Sequence, residues 1–477
     1  MRNIPLALTY DDVLIIPKRS SLTSRSEANT KTRLTKKINL NIPIVSANMD
    51  TVSESEMAIA LARLGGISFI HRFMSIEDNV EEIKRVKRAQ NFIVADPYTI
   101  EASATIGEAK KFIAAHGVSG LLVADSNKKL KGILSKRDFV FVKDDSQTVE
   151  QTMTPREKLV VGDRNTSFVQ AKEKMIQNKI EKLPLVDEND NIVGLITADD
   201  IKNLIEYPLA NVDSDGRLIV GGSVGVHGDY LERAQALVKA GVDVLVVDIA
   251  HGHSEMMFNA IKKIREVCGD VQIIAGNIAT AEAARDLCEA GVDALKVGVG
   301  PGTICITRLV TGCGVPQLTA VLSVAEVAKQ YGVPVIADGG IQKSGDIVKA
   351  IGAGADTVML GGLLAGTKES PGQIMNRGDK KYKVCRGSAS FAVAQRRQAV
   401  SQEGKNLNEV VPEGVESVVL YKGPVAELIG QLVGGVKSGM SYTNSRTISD
   451  LQNNVDFMQI TSAGARESGA HDLIDVK

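Results

Sequence analysis

The stretch that decides the fold is Val242–Gly300, VDVLVVDIAHGHSEMMFNAIKKIREVCGDVQIIAGNIATAEAARDLCEAGVDALKVGVG. It holds three short apolar runs, Val244–Val247, Val271–Ala275 and Ala294–Val297, separated by two helical patterns, Met256–Val267 and Ala281–Ala290. Buried runs of about four or five residues, each followed by a helix of about ten, imply parallel βαβ units. The alternation continues through Val333–Ala337, Ser344–Ala353 and Thr357–Leu360. It also appears earlier, in Ile42–Ser46, Glu54–Leu64 and Ile67–Ile70. Together these approach the count of an α/β fold of the (β/α)8 TIM-barrel class. A doubly wound open sheet is the competing arrangement. Polar residues and glycines follow strand after strand, as a shared rim of βα loops requires, and this favours the barrel.

Between about Phe92 and Tyr207 the pattern is interrupted by a repeat. Val118–Phe139 reads VSGLLVADSNKKLKGILSKRDF and Ile180–Ile201 reads IEKLPLVDENDNIVGLITADDI. Gly132 matches Gly194, Ser135 matches Thr197, and Asp138 matches Asp200. One supersecondary unit has been duplicated, each copy covering the other's apolar face. The expected domains are therefore 1–94 and 208–477 for the barrel, with modules at 95–150 and 151–207 inserted. Asp138 and Asp200 have two readings, caps of the following helices or contacts to a ligand.

Composition narrows the function. The 477 residues carry 56 Lys and Arg against 57 Asp and Glu, a net charge of -1. That balance argues against a nucleic-acid backbone or an anionic membrane as the main partner. No apolar run approaches the ~18 residues of a membrane span, and Met1–Tyr10 lacks a signal peptide's apolar core. Five cysteines without metal-ligand spacing fit a reducing compartment. A cytoplasmic protein is expected.

The sharpest chemical signal is Gly298–Arg308, GVGPGTICITR, at the end of the run Ala294–Val297. Glycines allow consecutive N–H groups to converge on an anion, and Thr303 adds a hydroxyl. Cys305 sits mid-loop on the catalytic rim, where a thiol is a candidate nucleophile; Cys268, Cys288 and Cys313 read as small buried residues. ADGG (Ala337–Gly340) and MLGG (Met359–Gly362) follow the last two strands, the usual phosphate site of a barrel. There Asp338 is placed to accept from ribose hydroxyls. DIAHGHS (Asp248–Ser254) and AGNIAT (Ala275–Thr280) put Asp248 and Asn277 on the same rim. His251 and His253 have no third ligand at metal-binding spacing.

These segments, with TYDDVLIIP (Thr9–Pro17) and PIVSANMDTV (Pro43–Val52), resemble the IMP dehydrogenase/GMP reductase family over nearly the whole chain. The repeat resembles a tandem pair of CBS modules, whose relatives often bind adenine or guanine nucleotides. The resemblance implies a homotetramer, with an octamer as the larger option, that binds a purine nucleoside monophosphate (GMP or IMP). It implies a thioimidate between Cys305 and purine C2. Thr303, Asp338, Gly339, Gly340, Gly361, Gly362, Gly387, Ser388 and Glu413 would hold the substrate. Asp248, Ala250, Asn277 and Gly298 would hold a nicotinamide dinucleotide. The carbonyls of Gly300, Gly302 and Cys305 would hold a potassium ion.

Within the family, dehydrogenases hydrolyse the intermediate with an Arg-Tyr pair on a flap. Between Arg386 and Pro412 this chain has Arg396-Arg397-Gln398 and no Tyr. Ser401-Gln402-Glu403-Gly404-Lys405 resembles the reductases' SEGK segment, whose Glu pairs with a Thr, here Thr307. Asp248-Ile249-Ala250 also resembles the reductases. Val411–Glu416 and Glu467-Ser468 look more like dehydrogenases, and Cys385–Ser390 lacks the Tyr with which dehydrogenases help hold phosphate. The expectation is NADPH-dependent reductive deamination of GMP to IMP through Cys305, Thr307 and Glu403. NAD-dependent oxidation of IMP to XMP is the alternative.

Overall fold

Eight parallel strands close on themselves: β1 (Ile44–Ser46), β2 (Ile67–Ile70), β3 (Gly221–Val224), β4 (Val244–Asp248), β5 (Gln272–Ile278), β6 (Ala294–Val297), β7 (Val335–Asp338) and β8 (Thr357–Leu360). The computed structural model describes residues 4–89, 93–94, 96–393, 395 and 411–469. Each strand pairs with the next in sequence and β8 with β1, so no edge is left to aggregate. Helices follow most strands, among them Ser55–Arg63, Glu255–Cys268, Ala281–Glu289 and Ser344–Gly352. The barrel reading is correct, and element ends move by one to three residues at most.

Both faces of the strands are buried. On β4, Val244 and Val246 point inward with Val45, Phe69, Ile274, Ala294, Ile336 and Met359. Leu245 and Val247 point outward against helix residues such as Met257, Ala260 and Ile264. This explains why the strands read as unbroken apolar runs. The period of two also sends three ionisable residues inward. Lys296 is in step with Ala294 on β6, Asp338 with Ile336 on β7, and Asp248 with Val246 on β4. A register shift between Gly276 and Ile278 sets Asn277 apart from the ladder, and such bulges re-aim a side chain.

The opposite end of the barrel is tied by a motif used three times. Gly241-Val242-Asp243, Gly291-Val292-Asp293 and Gly354-Ala355-Asp356 each precede a strand. Each Gly has positive φ, ending the preceding helix in the left-handed turn that favours Gly. Two residues on, the carboxylates accept the backbone N–H of Val220 at 2.7 Å, Ile273 at 2.8 Å and Val335 at 2.9 Å. Lys87, Arg265 and Arg33 respectively pair with them.

The chain divides into two units: Met1–Ala89, Leu209–Asp213 and Leu218–Lys477 form the barrel unit, and Gln90–Pro208 with Ser214–Arg217 form the other. The repeat appears in the second unit as two matching antiparallel hairpins. Gly120–Ala124 pairs with Leu130–Ser135, and Lys182–Val186 with Ile192–Thr197. Register shifts fall at equivalent points, between Val123 and Ala124 and between Leu185 and Val186. Leu122 and Leu130 of one copy share a buried cluster with Val186 and Leu195 of the other. Asp138 accepts from the N–H and hydroxyl of Ser135, and Asp200 does so from Thr197. Both carboxylates therefore make capping bonds, one of their two readings.

Asp243→Ala removes the acceptor of the Val220 N–H while Asp213 remains for Lys87. An orphaned buried donor costs about 1–3 kcal/mol. A lowered thermal midpoint is expected, and an unchanged one would show that this tie contributes nothing.

Candidate active site

A cavity of about 340 Å³ opens at the strand C-termini. Every site residue expected from sequence that lies among the described residues lines it. These are Thr303, Cys305, Thr307, Asp338, Gly339, Gly340, Gly361, Gly362, Gly387, Ser388, Glu413, Asp248, Ala250, Asn277, Gly298, Gly300 and Gly302. Glu403 lies outside the described residues, as do Arg396, Arg397, Gln398 and the segment 401–405. Sequence reasoning did not single out Lys296, Arg72 or Asn48, which also line the cavity.

The Cys loop is held from both ends. A Cβ on Gly298 would fall 2.0 Å from the Asp338 carbonyl oxygen, so only Gly lets the loop leave β6 this close to β7. Further along, the Ile306 N–H donates to the Glu413 carbonyl at 2.8 Å, and the Val415 N–H donates to the Ile304 carbonyl at 3.0 Å. Segment 413–415 thus runs antiparallel beside the nucleophile loop, with Cys305 opposite Gly414. Arg386, just before Gly387, binds Asp50 at 2.8 Å and Glu416 at 2.8 Å, fixing this wall to the loop after β1.

Cys305 Sγ lies 3.1 Å from Thr307 Oγ1, and Thr307 Oγ1 donates to Glu413 Oε2 at 2.7 Å. A hydroxyl has one proton to give. With that proton directed at Glu413, the thiol is the donor toward Thr307, and the three groups form a path from sulfur to carboxylate. The Thr307 partner seen in the structure is therefore Glu413, a residue placed by sequence only among substrate contacts.

The remaining thiols are set apart by their surroundings. Burial raises the Cys288 thiol to about 11 and also pushes Cys268 and Cys385 up. Cys313 is a correction: it is exposed, in the turn after the short helix Thr307–Thr311, where no core is available to pack it.

Beneath the cavity Lys296, with 2% of its side chain exposed, binds Asp248 at 2.8 Å and Asp338 at 2.9 Å. Its third bond goes to the Asn277 side-chain oxygen Oδ1, which uses every donor of the ammonium. The Asn277 amide nitrogen donates to Gly298 O at 2.7 Å and Asp338 Oδ2 at 2.9 Å. Burial opposes the charge on Lys296, but Asp248 and Asp338 more than offset it and raise its pKa. Burial likewise opposes ionisation of Asp248, yet Lys296, then Arg72 and Asn48, hold its carboxyl below the usual value.

Elsewhere on the rim, His253 pairs with Asp286 at 2.9 Å. Among the described residues no group of three or more His, Cys, Asp or Glu is placed to hold a metal ion, and no helix is long and apolar enough to cross a membrane.

Brief treatment of the native chain with iodoacetamide is expected to modify Cys305 and Cys313 and to spare Cys288 and Cys385, as read by peptide mass mapping. Modification of Cys385 ahead of Cys305 would show that the cavity does not present the Cys305 thiol.

Residues 7–471 match the model of the IMP dehydrogenase / GMP reductase domain. The GMP reductase of Leishmania donovani is 50% identical over 484 residues, covering 98% of each chain. The inosine-5'-monophosphate dehydrogenase of Nitrosopumilus maritimus is 48% identical over 472 residues, covering 98% of each. Among solved structures, a cysteine-to-alanine variant of the GMP reductase from Trypanosoma brucei, in complex with guanosine 5'-monophosphate, matches with a TM-score of 0.94, 48% identity and 99% coverage of both chains. With the barrel, the cavity and these matches in agreement, the chain belongs to the IMP dehydrogenase/GMP reductase family of oxidoreductases.

Proposed function

We propose that the chain is a GMP reductase that deaminates GMP to IMP with NADPH. The observation that carries this reading is the flap sequence, Arg396-Arg397-Gln398 without a Tyr and Ser401–Lys405 resembling the reductases' SEGK, and the path Cys305–Thr307–Glu413 supplies a proton relay. The Cys305 sulfur attacks purine C2, forming a C–S bond, and the C2–N bond to the amino group breaks. The thiol proton passes along Thr307 and Glu413 to the departing amine, which leaves as ammonia. A carboxylate relay suits protonation of an amine. A dehydrogenase instead needs a strong base toward water, which the family supplies with an Arg-Tyr pair on the flap, and the sequence between Arg386 and Pro412 has Arg396-Arg397-Gln398 but no Tyr.

Thr303, with the Gly339-Gly340 and Gly361-Gly362 turns, supplies small groups and N–H donors to the phosphate. A Cβ on Gly362 would come within 3.2 Å of Thr303 Oγ1, so bulk there would crowd that hydroxyl. Gly387 and Ser388 contribute the facing wall. Asp338 accepts from the ribose with the oxygen that Lys296 and Asn277 leave unbonded. Asp248, Ala250, Asn277 and Gly298 would hold the nicotinamide dinucleotide, and they share one cavity with Cys305. When bound, that group supplies the hydride that replaces sulfur at C2. Potassium on the carbonyls of Gly300, Gly302 and Cys305 belongs to the same reading. The Gly302 carbonyl keeps one lone pair after accepting the Cys305 N–H at 3.1 Å. The repeat is taken as a CBS pair that binds an adenine or guanine nucleotide, in a cytoplasmic homotetramer.

Comparable similarity to relatives named inosine-5'-monophosphate dehydrogenase supports the second reading, NAD-dependent oxidation of IMP. Absorbance at 340 nm separates the two. A fall with GMP plus NADPH, with ammonia released, is expected; sustained turnover of IMP plus NAD without deamination of GMP would put the second reading first. Glu413→Gln is expected to slow deamination by about 10²-fold or more. A larger loss from Glu403→Gln would move proton handling to the 401–405 segment.

A further inference from the structure

Lys296 touches no part of the path from Cys305 to Glu413, yet it is the most buried cation beside the cavity. It is bonded to one carboxylate from β4, one from β7 and the bulged amide of β5. Two carboxylates that share one nitrogen are close neighbours, and without a cation between them like charges repel in a site water reaches poorly. Among the described residues only one oxygen of Asp338 is taken, by Lys296 and Asn277. The other is therefore presented to the cavity in a direction set by those two donors.

We propose that Lys296 is a positioning residue whose ammonium holds Asp248 and Asp338 together as an ionised pair, so that nucleotide binding through Asp338 depends on the charge balance at Asp248. This rests on the reading of Asp338 as the ribose acceptor and adds a coupling to the cofactor-side carboxylate. The groups facing the cluster are few. Arg72 and Asn48 lie on the Asp248 side. Tyr10 senses Asp338, but burial, then Asp346 and Asp338, push its phenol pKa up, so it stays neutral. Among the described residues Arg72 is the remaining cation, and its effect falls on Asp248.

The sign of the pH effect follows. In Lys296→Met the pair titrates as a unit, with one proton held well above the ordinary carboxylate range. At pH 8 both groups are ionised and repel, and Asp338 loses its aim. At pH 6 a shared proton takes over part of the ammonium's role. The measurement is calorimetric binding of GMP and of IMP to the full chain between pH 6 and 8, as the ratio of variant to wild-type Kd. The ratio cancels titration of the nucleotide's own phosphate.

For Lys296→Met the expected ratio is about tenfold or more at pH 8, narrowing toward pH 6. The double variant Lys296→Met/Asp248→Asn leaves a single carboxylate and no repulsion. It should recover affinity to within about fivefold of wild type with a flat ratio. Lys296→Arg, which keeps the charge, should also give a flat ratio. If Lys296→Met does not fold, the neutral double variant carries the test alone: binding weakened tenfold or more, or a pH-dependent ratio, overturns the proposal. A Lys296→Met ratio near one at every pH, or a double variant no better than the single, also overturns it. Wild-type protein that binds neither GMP nor IMP overturns the nucleotide reading itself, and this proposal with it.

Discussion

A lysine inside a closed parallel barrel is the constraint on which the site depends. The strand period leaves no choice about which way Lys296 points once Ala294 faces the interior. An isolated ammonium there would be strongly disfavoured. Strands β4 and β7 answer with Asp248 and Asp338, and the bulge in β5, which lies between β4 and β6, brings Asn277 to complete the three acceptors. The floor of the cavity is therefore a fully bonded polar cluster, and partly bonded versions of such clusters are unstable. Its rigidity gives the loops above it a fixed base. The Gly298 turn, packed against the Asp338 carbonyl, begins the Cys loop directly from that floor.

The wall facing this floor is built differently. Segment 413–415 lies beside the Cys loop through reciprocal backbone bonds, and Arg386 ties the preceding strand to Asp50. Glu413 is thus placed by main-chain pairing rather than by its own packing. That is why its carboxylate reaches Thr307 although it is more than a hundred residues distant. Under the proposed chemistry the two halves divide the work. The floor binds and orients, while the wall moves the proton between sulfur and leaving group.

Much of this is legible in sequence because glycine loops after buried runs have few other uses. Strands β2 and β8, the Cys loop and both Gly-Gly turns follow from residue pattern alone. Lys296 escapes that pattern for a simple reason: Ala294–Val297 looks like one apolar run, although its third member is charged. A Lys in a four-residue strand buried on both faces is itself the signal that carboxylates must converge on it. Thr307's partner escapes because a long-range pair leaves no spacing to read. The resemblance to a reductase segment points to Glu403, which lies outside the described residues, and the backbone pairing of Ile304 and Ile306 brings Glu413 to Thr307 as well. Cys313 looks like core from its size, and only the turn geometry shows it exposed.

At the centre of the account is a covalent bond between Cys305 and purine C2. Intact-protein mass spectrometry after acid quench of the full chain with GMP and oxidised cofactor tests it most directly. The expected result is an adduct with the mass of the nucleotide less that of ammonia, mapped to the peptide carrying Cys305 and absent from Cys305→Ala. No adduct under these conditions in a chain that turns over GMP with NADPH, or one that persists in Cys305→Ala, would contradict it.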